Sequence, residues 1–274
     1  MCIRDRAESV EKNKIPKAIS IILLGGIVSA FMGPGIANYA KDIVSEHLYV
    51  GSYLSLSILT IIPTIFFLFY ENTSKIETNI KYSGRSYLEL VSQPRFLQAL
   101  TASAFGCAIM TFLMTATPLS MHVMEKMSLS KTGLVIQFHV VAMFLPSLVT
   151  GYLIKKFGHS NIMYAGVFLY SITIIASFFD QTYYNYMFAL IFLGLGWNFL
   201  FISGTSLLVL TYKEEEKFKA QGLNDFIVYS VHATGSLSAG VLIVLTNWKI
   251  MNLICIPFLI LIILSIINAD RKTR

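Results

Sequence analysis

The sequence predicts an all-α membrane protein, a polytopic bundle of eight transmembrane helices. Three observations carry this reading. Hydrophobic residues make up 55% of the 274 and charged residues only 13%, about half the charged share of a soluble domain. Runs of about 20 apolar residues, the length a helix needs to cross the hydrocarbon core, recur along the whole chain. The Lys and Arg residues fall between those runs instead of forming a face.

In chain order, the first run covers 16–39 and contains Gly33-Pro34-Gly35, and the second covers 48–70 with Pro63 inside it. The third, 97–121, is Thr-rich and contains Pro118, and the fourth, 131–154, carries Pro146. The fifth, sixth, seventh and eighth are expected at 161–179, 184–211, 220–246 and 248–268, the last containing Pro257. Pro and Gly at these places would break a helix in water. In a bilayer they are tolerated, because neighbouring helices satisfy the freed backbone groups.

The net charge of +6 is a topology signal. No basic face interleaved with aromatic residues exists, so a nucleic-acid partner is not expected. With residues 1–15 in the cytoplasm, one set of connecting segments holds fifteen Lys and Arg, from Lys12 to Arg274, against Lys41, Lys126, Lys131 and Lys249 in the other. The positive-inside rule then puts both termini in the cytoplasm of an inner or plasma membrane. Cys2, Cys107 and Cys255 have neither disulfide nor zinc spacing, and no metal or cofactor is expected. No secretory signal peptide opens the chain. The head Met1-Cys2-Ile3-Arg4-Asp5-Arg6 resembles vector- or adapter-derived sequence, so a natural start further upstream is expected.

The spans differ in polarity. Those at 48–70 and 161–179 contain no Asp, Glu, Lys, Arg or His, and the one at 248–268 has only Lys249 at its start; all three read as lipid-facing. Those at 97–121, 131–154, 184–211 and 220–246 carry Thr111, Thr115 and Thr117; Gln137 and His139; Trp197 and Asn198; and Asn224, Asp225 and His232. Polar groups at membrane depth are costly and face a bundle interior or a water-filled path. Helical spacing aligns Asp225, Tyr229, His232 and Ser236, then His139, Met143, Pro146 and Thr150, then Gly194, Asn198 and Thr205. Structural readings stand beside the functional ones. Thr hydroxyls can bond a neighbouring helix, and His139 can be a neutral packing residue. Asp225 can cap a helix start with Asn224 or pair with Lys219, and Trp197 reads as cavity wall. Gly26, Gly33, Gly235 and Gly240 read as sites of close helix packing.

These motifs resemble the major facilitator superfamily. Gly33-Pro34 resembles the core of its fifth-helix antiporter motif, although Ser29 and Ala37-Asn38 replace expected glycines. Gly151-Tyr152-Leu153-Ile154-Lys155-Lys156-Phe157-Gly158-His159 resembles the basic, Gly-rich gating loop after its eighth helix, with Lys155 where the stronger copy has Asp. The stretches 114–119, 135–140, 193–198 and 221–226 are similar to one poorly characterised bacterial branch. The resemblance implies that the spans are helices five to twelve of a twelve-helix fold. Residues 1–70 then hold two helices of the first half, 71–96 the cytoplasmic connector, and 97–274 the six-helix second half. It implies secondary transport of a small organic solute by alternating access in a lipid bilayer. Thr115, Gln137, His139, Trp197, Asn198, Asn224, Asp225 and His232 are the candidate substrate or coupling residues. Gly33, Pro34, Gly151, Lys155, Lys156 and Gly158 are the gating or structural ones. Protons are the expected coupling ion, carried by Asp225 or His139. A membrane-embedded enzyme or a structural membrane subunit is the alternative, but hydrolase motifs and a nucleotide-binding loop are missing from the sequence.

Overall fold

The computed structural model describes residues 15–44, 49–69 and 84–272. The opening hexapeptide with Cys2, and the connector up to residue 83, lie outside the described residues. All the regular structure described is helical. The first helices are α1 (Ile15–Ala40) and α2 (Val50–Leu68), then a short α3 (Tyr87–Ser92) and α4 (Pro94–Pro118). After them come α5 (Leu129–Phe144), α6 (Ser147–Phe157), α7 (His159–Ala176) and α8 (Tyr183–Val209). The chain closes with α9 (Lys217–Leu245), α10 (Trp248–Ile254) and α11 (Ile256–Lys272). Five helical segments among the described residues are long and apolar enough to cross a membrane, and α5 with α6 makes a sixth. They match the last six predicted runs; α2 falls among the shorter apolar helices.

Contacts divide the chain into two units, residues 28–81 and the remainder. Within the smaller unit, the second part of α1 and α2 form a hairpin. The Ser52 hydroxyl donates to the Ala37 carbonyl at 2.6 Å. Gly51 lies against the Ala40 carbonyl, in space a Cβ would need.

The larger unit is built around α4. Its start is defined by a capping box in which Ser86 and Glu89 satisfy one another's backbone N–H groups ahead of α3. Extended Gln93 follows, and then Pro94 at the first helical position, where its missing N–H costs nothing. Helix α4 runs on into a π-helical turn, Leu119–Met124, and together they form a 31-residue span, Pro94–Met124, with 83% of its most apolar stretch buried. It packs against α8, α9 and α11.

Helix α8 is the second hub, touching α4, α5 and α7. Close approach is made possible by glycine at two places. Gly204 faces the Ser103 hydroxyl and the Ala99 carbonyl of α4, and Gly194 faces the His139 carbonyl of α5; a Cβ fits at neither. Association in lipid depends on such van der Waals contact, since the hydrophobic effect supplies no drive between helices there. The chain breaks by 41° between α5 and α6, at Leu145-Pro146, where proline removes a backbone donor. Gly158 turns the chain into α7 with φ +83, a conformation that favours glycine.

Two expectations change. The spans at 161–179 and 248–268 are not purely peripheral, since 39% of each apolar window is buried. Tyr170 of α7 is wholly buried and donates to the Gly106 carbonyl of α4 at 2.7 Å. Thr173 donates to the Ala189 carbonyl of α8 at 3.1 Å. A hydroxyl can make these bonds without carrying charge, so lack of charge does not mark a helix as outer. Conversely, Gly33 and Gly240 have no neighbour within reach of a Cβ, whereas Gly26 and Gly235 meet Phe144 and the Ala108 backbone. Only the latter pair serves close packing.

Candidate solute pathway

The polar residues singled out by sequence fall into three sets. The first is a seam. His139 is wholly buried between α5 and α8, and its Nδ1–H donates to the Leu190 carbonyl at 2.7 Å, while Nε2 has no partner among the described residues. Asn198 is wholly buried one turn further on. Its amide nitrogen donates to the Met143 carbonyl and to Ser147 Oγ, both at 2.7 Å, and its oxygen accepts from Thr150 Oγ1 at 2.6 Å. These bonds cluster at the α5–α6 break, where one helix supplies the partners that Pro146 denies its own. His139 and Asn198 therefore sit inside a helix contact, away from any open face.

The second set lies on α9. His232 is half-buried and its Nε2 is 2.6 Å from Thr111 Oγ1 of α4. Asp225 and Asn224 are buried two turns nearer the basic end, and the Asn224 amide donates to Asp225 at 3.0 Å. Because α9 begins at Lys217, eight residues earlier, Asp225 is not a helix cap. Lys219 does not serve as its partner either: its ammonium donates to the Arg85 carbonyl at 2.9 Å and lies 5.0 Å above the Tyr87 ring.

The third set is a cleft between α4 and α5, which touch one another only sparsely. Trp197 of α8 stands at its base. Its indole N–H donates to Cys107 Sγ of α4 at 3.3 Å, and its ring lies edge-on to Phe144 of α5 at 5.9 Å. Phe201 stacks on it at 4.8 Å with the planes 10° apart. Thr115 and Gln137 are half-buried on α4 and α5. The sequence reading missed Phe144, Phe201 and Cys107. The spacing of four between Trp197 and Phe201 was the available signal.

At the basic end, Glu216 is almost wholly buried and gathers four donors: the Arg85 backbone N–H, Arg85 Nε and Nη2, and the Lys213 backbone N–H. Arg85 also donates to the Thr211 carbonyl at 3.1 Å. The hydrogen bonds from Arg85 hold the Glu216 carboxyl well below the usual carboxylate range, and the same bonds raise Arg85. Nearby, Arg95 bridges Asp270 of α11 and Ser160 of α7, both at 3.1 Å. Lys155 and Lys156 are exposed at the end of α6, next to Gly158, and Gly151 lies within that helix. Gly33 and Pro34 sit inside α1, in a different unit from all of these.

The family model described as Major Facilitator Superfamily matches residues 6–179 and 104–274. The chain belongs to the Major Facilitator Superfamily. Among superfamily members it is 36% identical over 253 residues to the riboflavin transporter RfnT of Brucella anthropi, covering 92% of this chain and 63% of that protein. It is 27% identical to YddS of Bacillus subtilis, an uncharacterised transporter of the same type, covering 86% of this chain and 58% of the relative. The chain therefore spans about three fifths of the length of these relatives. In fold it is similar to a bacterial homologue of the iron transporter ferroportin in its outward-facing state, with a TM-score of 0.63 at 14% identity. That match covers 98% of this chain and 66% of the other. The superfamily assignment makes this a multi-pass membrane protein of transporter type.

Proposed function

We propose that the protein is a secondary active transporter of a small organic solute that works by alternating access, with two helical halves moving about a central site. The observation that carries this reading is the match to a named solute transporter along 92% of the chain. The polar and aromatic residues on the inner faces of α4, α5, α8 and α9 support it. The reading includes eight spans, a connector at 71–96 between the halves, and both termini in the cytoplasm. The basic end described above is then the cytoplasmic end. A cysteine introduced at Lys156 should resist an impermeant thiol reagent applied to intact cells, and one introduced at Ser128 should react.

Protons supply the drive in this proposal, through α9. Asp225 and His232 are ionisable groups on one helix, about 10 Å apart along its axis, so each works with a separate partner. His139, sealed in a helix seam, is assigned a structural role. The test is uptake into vesicles by the protein expressed from its complete reading frame, with an imposed pH gradient. Asp225→Asn and His232→Gln should each reduce gradient-driven accumulation by about tenfold or more while leaving gradient-free exchange. His139→Gln should lower the yield of folded protein and leave the pH dependence of the surviving fraction intact. Unchanged gradient-driven uptake in both α9 variants would refute proton coupling through this helix.

A further inference from the structure

We propose that Phe201, held flat against Trp197, is a stacking platform for a flat aromatic ring system of the transported solute. The inference rests on the transporter reading and names the substrate class of its site.

The geometry begins with α8. Trp197 points at α4, through Cys107, and Gly194 and Asn198 point at α5. At about 100° per residue, Phe201 lies about 40° around the helix from Trp197, in the sector between those two contacts. Helices α4 and α5 barely meet in front of that sector, and α1 comes in beside it with Gly26 against Phe144. Phe201 is accordingly only half-buried, whereas Trp197 behind it is 7% exposed. One face of the Phe201 ring is taken by the indole, and the residue as a whole stays part-exposed.

The indole is itself fixed on three sides. Its N–H is bonded to Cys107, its face is covered by Phe201 and its edge meets Phe144. A ring backed in this way loses little rotamer freedom when a second ring stacks on it, and offset aromatic stacking contributes beyond the area it buries. An aliphatic solute gains nothing from such a surface that a Leu would not give.

A polar group stands at a matching distance. Gln137 is seven residues before Phe144 on the same face of α5, about 10 Å along the axis. It is half-buried, and no hydrogen bond to it occurs among the described residues. Its amide offers donors and an acceptor together. The cleft therefore suits a molecule with a flat ring at one end and a hydroxyl-bearing or amide-like tail at the other.

The experiment uses the protein from its complete reading frame, in vesicles, with riboflavin as the ring-plus-tail probe and ribitol as the tail alone. Riboflavin uptake or binding, read by quenching of flavin fluorescence, should weaken about three- to tenfold in Phe201→Leu. It should stay within about twofold in Phe201→Tyr, which keeps the ring, and ribitol should neither bind nor compete. Equal riboflavin affinity in wild type and Phe201→Leu would overturn the platform while leaving transport intact. Uptake of ribitol in preference to riboflavin would overturn the substrate class and leave the transporter reading standing. Failure of the wild-type protein to move any solute under an imposed gradient would refute the transporter reading and the platform with it.

Discussion

Helices α4 and α9 lie side by side and both carry polar residues along their length, yet their surroundings are opposite. In α4, 83% of the apolar window is buried; in α9 the figure is 17%. The buried side of α9, from Gln221 through Asn224 and Val228 to Ala239 and Ile243, lies on α4. The opposite stripe, Phe226, Tyr229, Leu237, Val241 and Val244, is open. Polarity in sequence thus does not fix a helix's place in a membrane bundle. In α4 the polar groups are part of a closed core, as with Thr117 bonding its own backbone at Leu113. In α9, Asp225 and His232 sit on the single covered side of an otherwise exposed rod. That arrangement suits α4 to a fixed scaffold and α9 to an element whose environment can change.

The sharpest test of this contrast is a bulky residue at a glycine in each neighbourhood. At Gly204 the first added carbon already meets Ser103 and the Ala99 carbonyl on α4. Gly204→Leu must therefore separate α8 from α4, and overpacking of this kind costs about 3 kcal/mol. On α9, Gly240 has nothing within reach of a Cβ, so Gly240→Leu should alter thermal stability in detergent by less than about 0.5 kcal/mol. Equal losses at the two sites would show that α9 is packed as tightly as α4, and the comparison would fail.

A smaller effect is expected where the start of α9 is tied to the segment before α3. Glu216→Gln keeps shape but removes the charge on which Arg85 converges, and should cost about 2 kcal/mol. The pH dependence has a definite sign. The folded-state acidity of Glu216 is depressed, so its contribution is complete above the ordinary carboxylate value of 4.5 and is lost as pH falls below it towards the lower folded value. Melting curves of wild type and Glu216→Gln should run parallel from pH 8 to 5 and converge below pH 4. A constant gap down to pH 3 would break the assignment.

These cases also show how much the sequence could disclose. The apolar runs were legible because a bilayer demands about 20 apolar residues in a row, and Pro146 marked the 41° break. The helix seam was half-legible: His139, Asn198 and Thr150 were picked out as polar, but only packing shows that Asn198 joins Thr150 and Ser147 while His139 reaches the Leu190 carbonyl. The bond between Arg85 and Glu216 connects residues 131 positions apart, and no local pattern encodes such a pairing. Phe201 was passed over for another reason. In a span rich in Leu, Ile and Phe, one more aromatic carries no polarity signal, and its position matters only because α4 and α5 leave a gap before it.

The smallest expected effect concerns the side-chain bond that joins the two compared helices, Thr111 to His232 at 2.6 Å. Thr111 is buried on α4, and Thr111→Val keeps its volume while removing the hydroxyl. Inter-helix hydrogen bonds measured in membrane proteins average about 0.6 kcal/mol, because the separated helices find other partners. His232 is half-buried, so water can replace part of what is lost, and the cost should be about 0.5 kcal/mol by this scale. Thr234, two residues further along α9, is exposed and bonds the Ser230 carbonyl of its own helix at 2.9 Å. Thr234→Val should therefore be neutral within error. A double-mutant cycle of Thr111→Val with His232→Gln isolates the pair, since each change alone also alters local packing. A coupling near zero would mean that α9 is held to α4 by apolar contact alone, and that His232 is free to serve the pathway without releasing the scaffold. A coupling above about 1.5 kcal/mol, near the top of the range for such bonds, would make the same histidine part of the α4 scaffold and argue against its titration during transport.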